Sequence, residues 1–573
     1  MQILVRPAPK IDSLIFSMQL YTRLQGRARA TISVLLALFV LVGCGAEPAL
    51  QVEGVAVEVT SAEFPTVPQC DSQFIRHELD HITTNQYEPV DMYDSNGAGV
   101  AVNDLDNDGD ADIVLANLAG DNHIFWNNGD LTFERWAFPY GASRAVATVD
   151  VNTDGMLDIV FTSRVGKGLL YWENQGDQTF AEARLPGIDQ HAYSMAWADL
   201  DGDGDLDVVT GSYDTALEKE LRDAFMFGNG AGVFVYTNQG DGTFTSERLA
   251  EKSQALALLL TDLDGDGRKD ILVGNDFITV RDYAWLASDD GWISAEPFAT
   301  TTENTMSFDV GDVNNDGSME LFAADMHPYS AEIMPDYEPM MEAMMDNHNP
   351  IEGDPQVMAN VMQVRDANGN FVDQAEEMAA AATGWSWSTK FGDLDQDGFL
   401  DIYSVNGMAS FESFGHLPNN TLIEENQVLH NDGFGHFEPM STWNLDQEDG
   451  GRGMSMADLD NDGDLDIVIN NLLGPATLLE NQLCQGASIL VDLRHADSDN
   501  PYAIGAVAVL ETSVGTLTRD VRAISGYLSG DTAQLHFGFP EDAELTKLTV
   551  AWPDGQSTTI SNLESNQTIT VAR

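Results

Sequence analysis

Short apolar runs alternate with polar, glycine-bearing turns through most of the chain, and the runs have strand length. Ile113-Val114-Leu115, Val208-Val209 and Ile271-Leu272-Val273 each follow a dense acidic stretch. A second mark recurs beside them, in which an apolar run ends in Asn, then a Gly turn, then Phe. It reads Asn127-Asn128-Gly129 to Phe133, Asn174-Gln175-Gly176 to Phe180, Asn238-Gln239-Gly240 to Phe244, and Asn431-Asp432-Gly433 to Phe437. Asn and Gly are expected to supply the positive φ angles of hairpin turns. Each unit therefore predicts a few antiparallel strands with an acidic loop between two of them.

The acidic stretches share one spelling, Asp-x-(Asp/Asn)-x-Asp-Gly-x-x-(Asp/Glu), seven times over. The first is Asp104, Asp106, Asp108, Asp112, and the second Asp150, Asn152, Asp154, Asp158. Next come Asp199, Asp201, Asp203, Asp207, then Asp262, Asp264, Asp266, Asp270. The fifth is Asp312, Asn314, Asp316, Glu320. The last two are Asp393, Asp395, Asp397, Asp401 and Asp458, Asp460, Asp462, Asp466. Alternate acidic residues on a tight loop turn their oxygens toward a hard cation, and Ca2+ takes about 6–8 of them. Glycine at the sixth position permits the sharp turn. The loops are not EF-hands. That motif needs a bidentate Glu at its twelfth position and flanking helices. Here the twelfth positions are Leu115, Phe161, Thr210, Val273, Ala323, Ser404 and Ile469, and the flanks read as strands. The reading is Ca2+, at up to seven sites.

Motif starts lie 46, 49, 63, 50, 81 and 65 residues apart. Periods of this size indicate propellers or solenoids, and seven motifs suggest seven blades. The expected fold class is all-β: a seven-bladed β-propeller over 71–484, then a small β-sandwich or barrel over 485–573. The tail has β-rich runs at Val507 to Leu510, Leu517 to Ile524, Leu548 to Val550 and Thr568 to Val571. The long fifth period carries an insertion at 326–384. Met340, Met341, Met344 and Met345 there predict a short helix with Pro339 at its first turn. That stripe reads either as a partner surface or as packing onto its own domain.

Charge narrows the partners. The chain has 573 residues and a formal net charge of −67. Seven divalent ions would offset only about 14 of those charges. Nucleic acid and anionic membrane surfaces both need a basic footprint and are excluded as partners. The N-terminus predicts a targeting segment over 1–43: Arg23, Arg27 and Arg29, an apolar run from Ala30 to Val42, then Gly43-Cys44. This resembles a bacterial lipobox, with lipid on Cys44, and translation starting at Met1 or Met18. Residues 44–70 read as a tether. The expected location is the bacterial cell envelope, at the outer membrane or cell surface, held to the membrane only through the lipid. Cys70 precedes the first repeat and Cys484 follows the last, so the expectation is a disulfide clasping the array, with two free thiols as the alternative.

The array resembles the FG-GAP/VCBS repeats, whose relatives include the calcium-binding propeller of integrin α subunits. The tail resembles the ASPIC/UnbV domain through Arg519-Asp520-Val521-Arg522, Gly526-Tyr527-Leu528-Ser529, Leu535-His536-Phe537-Gly538 and Val550-Ala551-Trp552-Pro553-Asp554-Gly555. Together they look like the cartilage acidic protein family and its bacterial homologues. Gly530-Asp531 departs from the Gln-Ser usual there. The resemblance implies the architecture, export and calcium, and brings no shared reaction.

One string spells the zinc-protease motif: His77-Glu78-Leu79-Asp80-His81. That chemistry needs a helix, whereas Phe74 to Ile82 alternates like the first propeller strand. No nucleophile elbow, phosphate loop or Cys-x-x-Cys occurs. The expected function is a non-catalytic binding or adhesion module for a glycan or extracellular protein. The alternatives are an envelope scaffold and a polysaccharide-active propeller enzyme.

Overall fold

The computed structural model describes residues 50–573 except 223–231, 278–279 and 348–353, with side chains omitted over 343–347. Cys44 and the 1–43 segment lie outside the described residues. Seven antiparallel sheets of four core strands follow one another in chain order. Their innermost strands are Val100–Asn103, Ser143–Val149, Ser194–Ala198, Ala255–Thr261, Ser307–Gly311, Gly384–Gly392 and Gly451–Ala457. Each touches the innermost strand of the next sheet, and the seventh touches the first. The ring is closed, and it is a seven-bladed propeller. These strands are buried on nearly every residue, because each packs between two neighbouring blades.

The ring closes by exchange of strands between its ends. Phe74–Ile82 pairs antiparallel with Pro475–Asn481, in the register Phe74↔Asn481. The string that spells a zinc-protease motif is thus the outermost strand of the seventh blade, added from the chain's other end. Its two histidines have separate partners. His77 Nε2 lies 2.6 Å from Glu480, and His81 Nδ1 lies 2.7 Å from His123. Cys70 and Cys484, at the base of this strand pair, form a disulfide with Cα atoms 5.6 Å apart.

Two readings of the chain's organisation need correction. The stretch read as a tether contributes two strands. Gln51–Gly54 pairs with Ser557–Ser561, and Glu58–Glu63 pairs with Gln567–Ala572. Alternation of Val, Thr and Glu satisfies a sheet edge without any glycine-loop motif. The C-terminal unit is therefore a sandwich of a five-stranded and a four-stranded sheet, built from both ends of the chain. The insertion is also shorter than 326–384. Val361–Arg365 and Phe371–Asp373 are the third and fourth strands of the fifth blade. Their hairpin turns through Asp366 and Gly369, and Arg365 stands where the marked third strands end in Asn, which hid it. What remains is the connection from Asp325 to Asn360. Its helix, Met334–Asn347, begins before Pro339, leaving that proline inside it. Met340 is buried and Met341 packs on the core, so this part of the stripe packs on its own domain.

The sandwich extends a hairpin into the mouth of the propeller. Gly526 N–H donates to Phe308 O (2.8 Å) and Val146 N–H to Leu528 O (3.2 Å). Ser455 Oγ donates to Gly530 O (3.0 Å). Tyr527 is fully buried, its hydroxyl 2.6 Å from that of Tyr193 and its ring 5.0 Å from Trp387. These contacts come from the innermost strands of five different blades, or from the residue just before one. The departure at Gly530-Asp531 fits this seat. A Cβ on Gly530 would stand 2.7 Å from the Ala101 Cβ, and Asp531 pairs with the buried Lys390.

Gly530→Ala should destabilise the protein by about 1–3 kcal/mol, the usual cost of overpacking, measured by urea unfolding. An unchanged midpoint would show that the hairpin does not seat in the channel. Peptide mapping without reductant should recover Cys70 linked to Cys484, and two free thiols would contradict the clasp.

Candidate metal centre

Every acidic loop joins the innermost strand of a blade to its second strand, from Asn103 to Asp112 in the first blade through Ala457 to Asp466 in the seventh. Identical placement in each blade puts all seven loops at one end of the propeller. The connections between second and third strands lie at the other end, since neighbouring strands are antiparallel.

The same hydrogen bonds shape all seven loops. The first-position Asp accepts the N–H of the sixth-position Gly, as Asp104 does from Gly109 (3.1 Å) and Asp458 from Gly463 (2.9 Å). The fifth-position Asp accepts from the seventh residue, as Asp154 does from Met156 (3.0 Å). The ninth-position acid accepts from the second residue, as Asp270 does from Leu263 (2.7 Å). The sixth glycines all have φ between +87° and +102°, so a side chain there would be strained even where space is open. The fourth position is left-handed too, at Asn107, Thr153, Asn315, Gln396 and Asn461. Sequence reasoning missed that position, although Asn is common there and tolerates such φ.

The asparagines that end the third strands also do more than form turns. Their own φ is not positive; the positive angles fall on the glycines that follow and on Leu131, Asp177 and Gln178, which corrects the turn reading. Asn127 N–H donates to Asp112, Asn174 N–H to Asp158 and Asn481 N–H to Asp466, each at 2.8 Å. Their carboxamides reach the preceding blade: Asn127 Nδ2 to Leu459 O, Asn174 to Leu105 O, Asn431 to Val313 O and Asn481 to Leu394 O. One asparagine thus ties its own acidic loop to the loop of the preceding blade.

Burial makes these carboxylates expensive. All seven ninth-position acids are at most 1% exposed. Burial pushes Asp112 and Glu320 up to about 8, Asp158 and Asp207 to about 7, and Asp270 to about 6. Loops six and seven lie deepest, beneath the sandwich. Gly463 O accepts from Ser488 Oγ, and His536 Nε2 lies 3.2 Å from it. In those loops burial, with neighbouring carboxylates adding to it, holds Asp393, Asp401, Asp458, Asp464 and Asp466 well above the carboxylate range.

The loops can be tested for fit to a cation. Asp106, Asp395 and Asp460, all at the third position, each keep a buried Oδ1 without any hydrogen-bond partner. An orphaned carboxylate oxygen amid other carboxylates is the arrangement a cation satisfies. Ligand atoms of Asp104, Asp106 and Asp108 lie within 4.8 Å of one another, as do those of Asp199, Asp201 and Asp203. The same is true of Asp262, Asp264 and Asp270, and of Asp458, Asp460 and Asp466. In the sixth loop the grouping is Asp395, Asp397 and His430. The second and fifth loops, each with Asn at the third position, keep the same backbone bonds without such a grouping. These clusters could hold metal ions.

A model of the FG-GAP-like repeat matches residues 104–161, 150–210, 220–273, 262–323 and 418–469. A model of ASPIC and UnbV matches residues 496–573. The chain is an FG-GAP repeat protein with a C-terminal ASPIC/UnbV domain. The FG-GAP matches include six of the acidic loops; the sixth, Asp393 to Asp401, falls outside them. No curated protein matches the chain. Solved structures similar to this FG-GAP protein include an Agrocybe aegerita lectin described as recognising non-reducing terminal N-acetylglucosamine. It is 17% identical, with a TM-score of 0.35, over 65% of this chain and 80% of the lectin. Another is the Photorhabdus luminescens Tc holotoxin pore, 11% identical with a TM-score of 0.33, over 86% of this chain and 18% of the toxin chain. Both likenesses are too distant to bear on function.

The raised carboxylates set a pH dependence for the metal-free protein. Groups at about 8, 7 and 6 when folded, but near 4 when unfolded, make the folded state bind more protons. Stability then falls as pH rises. In chelator, the melting temperature should drop between pH 5 and pH 8, through the range of those folded values. A melting temperature that rises across that window would contradict the burial of these groups. Asp460→Asn should raise stability in chelator, by removing one of several repelling charges, and lower it in Ca2+. The same sign in both conditions, by calorimetry, would contradict a cation role for the loop.

Proposed function

We propose that the protein is an exported, calcium-loaded binding module that engages a glycan or extracellular protein without turning it over. The observation that carries this reading is the division of labour between the two ends of the propeller. One end holds the seven acidic loops and the sandwich. The other gathers the long connections between second and third strands, including Asp214–Leu221, Met334–Asn347 and Phe411–Phe414. Loops of varied length on a rigid scaffold are the usual place for recognition.

That second end displays apolar side chains to solvent. Tyr87, Phe411, Ile423 and Leu473 are each more than half exposed, and all lie in connections at this end. Exposed aromatic and aliphatic groups beside carboxylates suit a sugar face or an extracellular protein patch. The calcium reading is supported by the oxygen-only donor sets of most loops and by their orphaned third-position oxygens. Export is supported by the Cys70–Cys484 disulfide, since such bonds persist outside the cytosol. We further propose that Cys44 carries lipid and anchors the protein in a bacterial envelope. The disposition of catalytic-looking groups supports binding alone: His77 and His81 are engaged separately.

A glycan and cell-surface protein array, probed with Ca2+ and with chelator, should give calcium-dependent binding and no product release. Phe411→Ala should weaken that binding at least several-fold and leave the melting temperature unchanged. Binding that survives Phe411→Ala, Tyr87→Ala and Leu473→Asp together would place recognition elsewhere. Release of product from a bound glycan would replace binding with catalysis.

A further inference from the structure

The seven loops are alike in backbone but differ in what faces them from the third strand. Register places seven residues opposite the ninth-position acids: Trp126, Glu173, Thr237, Leu286, Val364, His430 and Glu480. Only the sixth blade sets a nitrogen donor there. His430 Nε2 is 3.2 Å from Asp395 Oδ2 and 3.6 Å from Asp397 Oδ2. The imidazole is braced edge-on by Trp443, at 5.5 Å between ring centres, so it is held in place rather than free in solvent. Asp395 is 6% exposed, and its other oxygen is buried without a partner. One ligand atom of each of the three side chains thus lies within 4.8 Å of the others, and Asp395 keeps a second, buried oxygen unsatisfied.

We propose that the sixth loop is a mixed nitrogen and oxygen site for a first-row divalent transition ion of the Co2+, Ni2+ or Zn2+ class, held by Asp395, Asp397 and His430. The inference rests on reading the loops as cation sites and adds a different metal class at one of them. Ca2+ is hard and takes oxygen ligands, so an imidazole in its shell weakens a calcium site. Imidazole with carboxylates strengthens binding of the later first-row ions. The seventh blade provides an internal contrast, because Glu480 occupies the same register there and offers oxygen.

The test uses the full chain and Co2+ as the probe, added to protein already in excess Ca2+. Wild-type protein should retain about one equivalent of Co2+ through dialysis against Ca2+, with visible d–d absorption from a nitrogen-containing shell. His430→Glu, which copies the seventh blade, should lose that Co2+ and its absorption. Calcium uptake by the other loops should be unchanged, and a calcium-loaded melt close to wild type would show that the variant folds. His430→Gln should lose the Co2+ as well. Co2+ that is not retained, or is retained equally by both variants, would overturn the assignment. Calcium uptake without Co2+ uptake defeats this inference alone. Co2+ retention without calcium uptake elsewhere supports it and defeats the calcium reading.

Discussion

Repulsion among buried carboxylates is the constraint on which the rest of this structure depends. A propeller repeats one connection in every blade, so whatever that connection carries is concentrated at one end. Here it carries acid, and the chain holds 93 acidic residues against 26 basic ones. Two unit charges 4 Å apart interact by about 4 kcal/mol at an effective dielectric near a protein surface. Several such pairs per loop cannot persist as charges without counter-charge; metal-free, the buried ones hold protons instead. Backbone N–H groups supply part of it, through the bonds to the first, fifth and ninth positions. The orphaned oxygens of Asp106, Asp395 and Asp460 mark the part they do not supply.

The sandwich is part of the same problem. It stands over loops six and seven, burying carboxylates that would otherwise face water, and it seats a hairpin in the channel. Arg519 and Arg522 approach this face from the sandwich. Arg522 bonds Asp309 at 2.6 Å, and Arg519 lies near enough to Asp312 and Asp393 to feel their charge. Docking of the domain and neutralisation of the acidic face therefore support each other. The strand exchange at Phe74–Ile82, the Cys70–Cys484 bond and the two sandwich strands from residues 51–63 tie the chain's beginning to its end three times over. Opening the ring means breaking all three.

The loops were legible because their chemistry is local: ligand spacing, glycine and flanking strands all fall within a dozen residues. Blade number followed from counting them. Three features were hidden, two of them because they depend on residues far apart in the chain. Gln51–Gly54 and Glu58–Glu63 look like a tether until their partners some 500 residues away are known. The fifth blade's outer hairpin has Arg365 where the marked third strands end in Asn, and it merged with the insertion before it. Asn127, Asn174, Asn431 and Asn481 read as turn residues, whereas their carboxamides bridge blades. The motif Gly526-Tyr527-Leu528-Ser529 was visible as a pattern, but its seat in the channel exists only once the ring has closed. His430 gave no signal by itself, because its meaning comes from the register that sets it across from Asp401.

The central claim is that cations on the acidic face hold the propeller and its sandwich together. Differential scanning calorimetry of one preparation, in chelator and in millimolar Ca2+ at neutral pH, tests it most directly. The account predicts a melting temperature many degrees higher with Ca2+, because a ligand bound only by the native state stabilises it by mass action. Superimposable transitions after complete chelation would contradict it.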